Sequence, residues 1–292
     1  MSYIIMTDTS ANLPTKLLKE RGIPAVPFSY YVNGEECTCE DTDAFDGVEY
    51  YTAIQKGSLV NTSQINPQRY IDWMTPYLKD GQDILYIGMS SGISGAYNSS
   101  EMAAAMLREE FPERKIFVFD TRAASLGEGI LVIKAADAKD SGESIESVYA
   151  ALDTWQKQMY QVFCVDDLIH LKRTGRISNL AAIVGVVLHI KPILKGNDKG
   201  QIVAVDKIRG FRKAMQALAE RYDELVLNPA EQIVGIAHAN AKAYAEALAD
   251  MLRANFPPKE IMIVDYEPVT GSHVGPGTVA LFFMGNEEVR AR

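Results

Sequence analysis

The stretch Asp83–Ser100, DILYIGMSSGISGAYNSS, limits the fold more than any other part of this chain. Its apolar run Ile84–Ile87 lies between Gly81 and Gly88 and reads as a buried strand of a parallel sheet. A loop built from Ser90, Ser91, Gly92, Ser94 and Gly95 follows, and a helical pattern then runs through Met102, Ala103, Met106 and Leu107. Strand, small-residue loop and helix start together make an anion site. The first-turn N–H groups lack partners, the helix dipole adds positive character, and glycine lets a ligand approach the backbone. Serine hydroxyls add donors. The expectation is a pocket for a carboxylate or phosphate at the carboxyl end of a sheet strand.

Two other readings fit the same residues. Gly88-Met89-Ser90-Ser91-Gly92 matches G-x-S-x-G in a strand–turn–helix setting, the nucleophile elbow of serine hydrolases. Ser90 would then need an acid and a base, which Asp120 or Asp137 and His238 or His273 could supply. Alternatively the loop only caps the following helix, through Ser94 or Ser91.

The rest of the chain sets this segment in an α/β framework. Tyr3–Met6 reads as a first strand with Thr7-Asp8-Thr9-Ser10 at its carboxyl end, and Asn12 and Pro14 open a helix. Asp8 is there either for chemistry or to tie down its loop. Residues 22–32 read as one strand turning at Asn33-Gly34, and 35–47 as acidic and irregular. Short helical character at 50–57 leads to a second polar loop, Asn61-Thr62-Ser63-Gln64-Ile65-Asn66-Pro67, before a helix over 68–79. Two hydroxyl-rich helix starts could face one crevice. A strand at 115–120, an apolar helix rich in small residues at 127–138 and a helix at 144–159 complete a β-α alternation, hence a doubly wound, mostly parallel sheet.

From Gln161 the pattern changes. Strands at 161–165, 189–194 and 201–208, the last two forming a hairpin, precede helices at 211–225 and 242–255 and strands at 232–238, 260–266 and 278–284. Leu180–Val187 reads as helical and Thr270–Gly277 as a loop. This gives a second, α+β unit with a mixed or antiparallel sheet, and a division at 1–158 and 159–292.

Composition excludes several classes. At 292 residues, 47% hydrophobic and 23% charged, this is a globular chain, and a net charge of −9 argues against a broad nucleic-acid surface. The longest apolar stretch, Leu180–Ile190, is too short to span a membrane and carries His189. The start MSYIIMTD lacks a signal peptide's basic segment, so a cytoplasmic location is expected. Cys37, Cys39 and Cys164 form neither a disulfide framework nor a zinc set. His170, His189, His238 and His273 show no metal-ligand spacing, so neither metal nor cofactor is expected. His189 reads as a core or edge-strand residue, and His238 as ending a strand beside the crevice. Lys172, Arg173, Arg176, Lys207, Arg209, Arg212 and Lys213 concentrate positive charge in an acidic chain. They are either a solvated face or a docking surface for an acidic or phosphate-bearing partner.

Several segments in a fixed order carry a resemblance. They are Thr7-Asp8 with Ser10, Thr62-Ser63-Gln64 with Pro67, Ser90–Tyr97 (SSGISGAY), Asp120 with Ser125 and Gly127–Gly129, Leu171–Ser178 (LKRTGRIS), Lys191–Leu194 and His273–Gly277 (HVGPG). Over Tyr3 to about Phe283 the chain resembles the DegV family, of the kind that serves as the fatty-acid-binding subunit of a fatty-acid kinase. It departs from the usual family pattern at Ile65-Asn66, in TDTSAN and in LKRTG. The resemblance implies two α/β domains with a long-chain fatty acid such as palmitate between or beneath them. It implies a carboxylate held by Thr62 and Ser94, with His273, Gly95 and Ser63 in the same ligand set. It also implies that the protein presents its lipid without performing chemistry, to a kinase subunit docking near Arg173, Arg176 and Arg209. The physics agrees: at roughly 0.8 kcal/mol per methylene, a sixteen-carbon tail supplies on the order of 10 kcal/mol before binding costs. The head group therefore sets register more than affinity.

Overall fold

The computed structural model describes residues 2–177 and 190–291. The helix expected over 180–187, Ser178 and His189 lie outside the described residues. Four parallel strands form the first sheet: β1 (Tyr3–Asp8), β2 (Ala25–Val26), β6 (Asp83–Gly88) and β7 (Ile116–Asp120), in the order β2-β1-β6-β7. β6 is central and wholly buried, with Ile84 beside Ile4 on one side and Ile116 on the other. The chain leaves β1 toward one edge and returns beyond it to β6, so the winding reverses between these two strands. Their carboxyl ends part there, and a crevice opens.

Six strands form the second sheet: β8 (Met159–Cys164), β9 (Ile190–Gly196), β10 (Ile202–Arg209), β11 (Ile233–His238), β12 (Glu260–Asp265) and β13 (Val279–Met284), in the order β10-β9-β8-β13-β11-β12. Only β11 and β12 pair in parallel, so the sheet is mixed as expected. Its two faces bury different cores. Tyr160, Val162 and Cys164 point into one cluster, while Phe163 and Phe282 point into the other. Helices α8 (Phe211–Leu225) and α9 (Lys242–Asn255) cover the first face.

The helix α5 (Leu126–Asp140) covers the second face. Residues 126–133 are buried on every side, because α5 packs on β1 and β6 of one sheet and on β8, β11 and β13 of the other. Gly129 is needed for this fit: a Cβ there would stand 2.5 Å from the Ala11 carbonyl oxygen. Helix α6 (Ile145–Gln158) follows in the same layer.

Four expectations need correction. The strand read over 22–32 is two strands in different sheets: β2 joins β1, whereas β3 (Ser29–Val32) starts a third, antiparallel sheet after Pro27. Residues 35–38 are not irregular but form β4, the return of the hairpin at Asn33-Gly34, where both φ angles are positive as a type I′ turn requires. The polar segment at 60–63 is β5 (Val60–Ser63), paired antiparallel with β3, so Thr62 and Ser63 stand on a strand. Polar composition hid this strand, because the three-stranded sheet is small and half-exposed. Asn66 caps as expected, accepting from the Arg69 N–H at 2.9 Å, and α3 (Pro67–Lys79) begins with proline. Asn12 does not, because the helix Thr15–Glu20 starts after Pro14 without a side-chain cap and Asn12, at φ 56°, ends the turn before it.

Beneath the crevice lies a network of buried carboxyls. Asp8 accepts from the Ser10 N–H (2.9 Å), the Ser10 hydroxyl and the Tyr86 hydroxyl (2.6 Å). Glu128 of α5 meets the hydroxyls of Thr7 (3.0 Å) and Ser10 (2.8 Å). Thr7 has one proton, and the Ile87 carbonyl at 2.8 Å can only accept it. The Thr7–Glu128 contact therefore needs a proton on Glu128. Burial, with Asp8 as neighbour, raises the Glu128 pKa well above its usual range, and burial raises that of Asp8.

Raised folded values fix the sign of the pH dependence. What these carboxyls contribute to stability is complete below their unfolded values of 3.8 and 4.5 and fades as pH rises through the folded ones. Glu128→Gln, which donates to Thr7 and accepts from Ser10, should keep stability within about 1 kcal/mol and flatten the fall in thermal midpoint on going to alkaline pH. Glu128→Leu, which removes one partner from each of the two hydroxyls, should cost about 1–3 kcal/mol. Thermal melts of the three proteins across a pH series check this.

Candidate functional site

The crevice at the β1/β6 reversal is roofed by β5 and α10 (Pro268–Val274) and floored by the second sheet. It encloses about 1030 Å³, counting its open mouth. Most of its wall is apolar, with Phe28, Met89, Ala123, Phe163, Val269 and Phe282 contributing from six different elements and loops. Thr62, Ser63, Ser94, Gly95 and His273 all line this cavity. The sequence had spread these residues over more than two hundred positions, and the fold brings all five together.

Each arrives for a local reason. Ser94 closes the β6–α4 loop: its N–H donates to the Ser90 carbonyl at 3.1 Å, and its hydroxyl accepts from the Ala96 N–H at 3.2 Å. The N-cap position of α4 is Gly95 rather than Ser94, whose bond to Ala96 is a local turn, and accepting leaves the Ser94 hydroxyl proton available to a ligand. Gly95 ends the loop at the start of α4 (Ala96–Glu110), where first-turn N–H groups have no helical acceptor. It is glycine because a Cβ there would collide with the Gln64 side-chain oxygen. His273 was expected on a loop but sits in the last turn of α10. Glu267 caps that helix by accepting from the Val269 and Thr270 N–H groups, both at 2.6 Å. Gly275, with φ 84°, ends it.

Thr62 Oγ1 and His273 Nε2 lie 2.8 Å apart. Burial, then the nearby Arg176 and His170, pull the His273 ring down to about 3, so it is neutral near pH 7. Its Nδ1 is buried with no partner among the described residues. A bare acceptor there costs less than a stranded N–H, so we assign the ring proton to Nε2, where it donates to Thr62. The Thr62 proton then points away from the ring, free for a ligand. Two hydroxyls with available protons, Thr62 and Ser94, and the start of α4 thus line one largely apolar cavity. This arrangement binds an anion at one end of an apolar molecule.

The arrangement does not fit a hydrolase. Ser90 is fully buried, its hydroxyl donates to the Gly200 carbonyl at 2.8 Å and accepts from the Gly92 N–H at 3.0 Å. No imidazole is bonded to it among the described residues. Asp120 is occupied by Ser91, accepting from its N–H (3.1 Å) and hydroxyl (2.5 Å). Asp137 pairs with Arg21 at 2.7 Å on the surface. His238 does not border the crevice: it lies 3.0 Å from Asp265 at the end of the β11–β12 pair.

Beside the head-group region are two more open clefts. One is lined by Ser91, Ser94, Asn98 and Arg176, the other by Thr62, His170, Arg173, Arg176 and His273. Arg173 and Arg176 thus reach the site, whereas Arg209, paired with Ile190 at the end of β10, lines neither cleft. The apolar lining was missed in the sequence. Period-two alternation in β8 separates Gln161 and Phe163 from Tyr160 and Val162, but alternation alone does not say which set faces a cavity. Among the described residues no group of His, Cys, Asp and Glu could hold a metal, and no helix is long and apolar enough to cross a membrane.

Comparison with known proteins bears on the same residues. The DegV family model matches residues 2–286. A DegV domain-containing protein of Clostridium perfringens is 38% identical over 291 residues, covering 97% of this chain and 98% of its own. Among solved structures, a fatty-acid-binding DegV family protein of Thermus thermophilus superposes with a TM-score of 0.88 at 28% identity, over 98% of this chain and 100% of that one. A DegV family protein of Ruminococcus gnavus, solved with vaccenic acid, superposes with a TM-score of 0.86 at 27% identity, over 97% and 99%.

The imidazole assignment is open to direct test. Nitrogen-15 NMR of His273 should show a neutral ring protonated at Nε2, with no titration until pH approaches about 3. A ring that titrates near its ordinary value of 6.5 overturns the assignment.

Proposed function

The chain belongs to the DegV family, and on that premise we propose that it binds a long-chain fatty acid whose carboxylate is held by Thr62 and Ser94. One observation carries this reading: two hydroxyls with available protons and the start of α4 line the same, largely apolar cavity. The fatty acids of the Thermus and Ruminococcus proteins support it, since both share this fold over nearly their whole length. Gly95 adds its N–H to the carboxylate, Ser63 stands beside it on β5, and neutral His273 orients Thr62. The tail runs over Met89, Ala123, Phe163 and Phe282, because the donors occupy the other part of the wall. Keeping Glu128 protonated beneath the site matters as well, since a second full negative charge there would repel the ligand.

The protein is a binding and presenting subunit rather than a catalyst. With Ser90 committed to Gly200, no activated nucleophile faces the cavity among the described residues. No cofactor enters this reading. Lipid transport or presentation to a fatty-acid kinase fits the open clefts beside the head group. Arg173 and Arg176 there offer a phosphate-bearing partner positive charge within reach of the carboxylate.

Native mass spectrometry of protein purified from bacterial expression, followed by organic extraction, should find one bound acid of about sixteen to eighteen carbons per chain. Thr62→Ala and Ser94→Ala should each weaken binding roughly 10- to 150-fold, the range for a lost hydrogen bond to a charged group, while the fold melts normally. Unchanged affinity and ligand position in both variants would overturn the head-group assignment. An empty protein that refuses added acid would overturn the reading itself.

A further inference from the structure

The wall over which the tail is proposed to run is partly the β7–α5 connection, Thr121–Ser125, and its backbone is strained. Arg122 and Ser125 have φ of 48° and 54°, left-handed values that residues with a Cβ adopt only when their surroundings impose them. Within the loop, Asp120 accepts from the Arg122 N–H at 2.9 Å and the Thr121 hydroxyl from the Ala123 N–H at 3.1 Å, and three side chains from other parts of the chain hold it as well. Asn12 donates to the Ser125 hydroxyl at 3.1 Å. Gln161, itself in the cavity wall, accepts from the Ala124 N–H (3.2 Å) and donates to the Arg122 carbonyl (3.1 Å).

The third is Arg290, from the short turn Val289–Ala291. Its side chain is buried, the residue being 5% exposed, and it donates to three carbonyls: Met159 from Nε (2.9 Å), Arg122 from Nη1 (2.8 Å) and Thr121 from Nη2 (3.3 Å). No carboxylate stands within ion-pair distance of it among the described residues. A buried cation with only carbonyl partners is a costly way to fill space, and an apolar side chain would fill it at less cost. What the guanidinium adds is a rigid planar fork that fixes several acceptors at once. Here it fixes two consecutive carbonyls of the strained loop against the first residue of β8. The Lys195 ammonium donates to the Arg290 carbonyl at 2.9 Å and anchors the turn in return. Arg122 in turn donates to the Asp198 carbonyl at 2.8 Å, which ties the loop to the β9–β10 turn whose Gly200 also lines the cavity. Burial, then the neighbouring Arg122, lower the Arg290 pKa to about 10, so the fork keeps its charge near neutral pH.

We propose that Arg290 is a positioning residue for the cavity: by holding the Thr121 and Arg122 carbonyls against the start of β8, it shapes the apolar wall and so sets which acyl chain lengths the protein accepts. This rests on the reading that the cavity holds a fatty acid. Arg290 touches no ligand in this scheme.

The test compares wild type, Arg290→Met, which fills the space without the fork, and Arg290→Lys, which keeps the charge but can reach fewer carbonyls. Bound acids are extracted and identified, and saturated acids of about twelve to twenty carbons are titrated against each protein. Both variants should shift the preferred length by about two carbons or more and bind the wild-type ligand about tenfold more weakly. Amide exchange should rise at 121–125. A merely structural role would lower the melting temperature and leave the length profile where it was, and that result overturns the proposal. If Arg290→Met does not fold, the length profile of Arg290→Lys decides alone. A wild type that binds no acid of any length takes down both the cavity reading and this one. A wild type that binds, with variants of identical profile, takes down only the role of Arg290.

Discussion

The structure depends on keeping carboxyl groups where water cannot reach them. Asp8 and Glu128 are fully buried and bridged by one hydroxyl, that of Ser10. Such a pair cannot hold two full negative charges, so a retained proton and the hydrogen bonds around it tie β1, β6 and α5 to one another. Tyr86 brings in the central strand and Tyr70 of α3 extends the chain of hydroxyls. Asn12 carries the connection outward, accepting from the Glu267 N–H at 2.8 Å while donating to Ser125. Glu267 in turn caps α10, the helix that carries His273. Burial raises its pKa to about 7. One polar network therefore fixes both the strand ends below the cavity and the helix that supplies its imidazole.

Around that network the parts approach closely enough that glycine is required at particular points. The β9–β10 turn meets the serine loop at Gly92, where a Cβ would stand 2.6 Å from the Lys199 carbonyl oxygen. This contact explains how a G-x-S-x-G sequence can serve something other than catalysis. Its serine is the hydrogen-bonded link between two sheets, and its glycine is the space that lets them touch. The nucleophile elbow and this loop share a sequence because both need a tight turn between a strand and a helix. They differ in what faces the serine, and here that is a carbonyl.

Much of the framework was legible in the chain itself. Ile84–Ile87 declared a buried strand through apolar continuity, α8 and α9 appeared at their observed limits through helical periodicity, and Asn33-Gly34 marked its turn through backbone preference. The misreadings share a cause. β5 is polar and half-exposed, β4 is short and acidic, and α10 contains glycine and is held by a cap five residues before Ser272. In each, tertiary partners outweighed weak local preference. The site was legible only in part. The hydroxyl- and glycine-rich segments announced anion binding one by one, and their order carried the family resemblance.

Sequence by itself determined most of the elements, the strand–loop–helix anion motif and the candidate donors, because these depend on periodicity, turn chemistry and residue type within a few positions. Tertiary structure alone decided that Thr62 and His273 share a hydrogen bond, that Ser90 is spent on Gly200, and that Arg290 reaches the loop at Thr121. Those are contacts across 211, 110 and 169 positions of chain. No local pattern encodes them, since they exist only once two sheets have closed on a common helix and excluded the water between them.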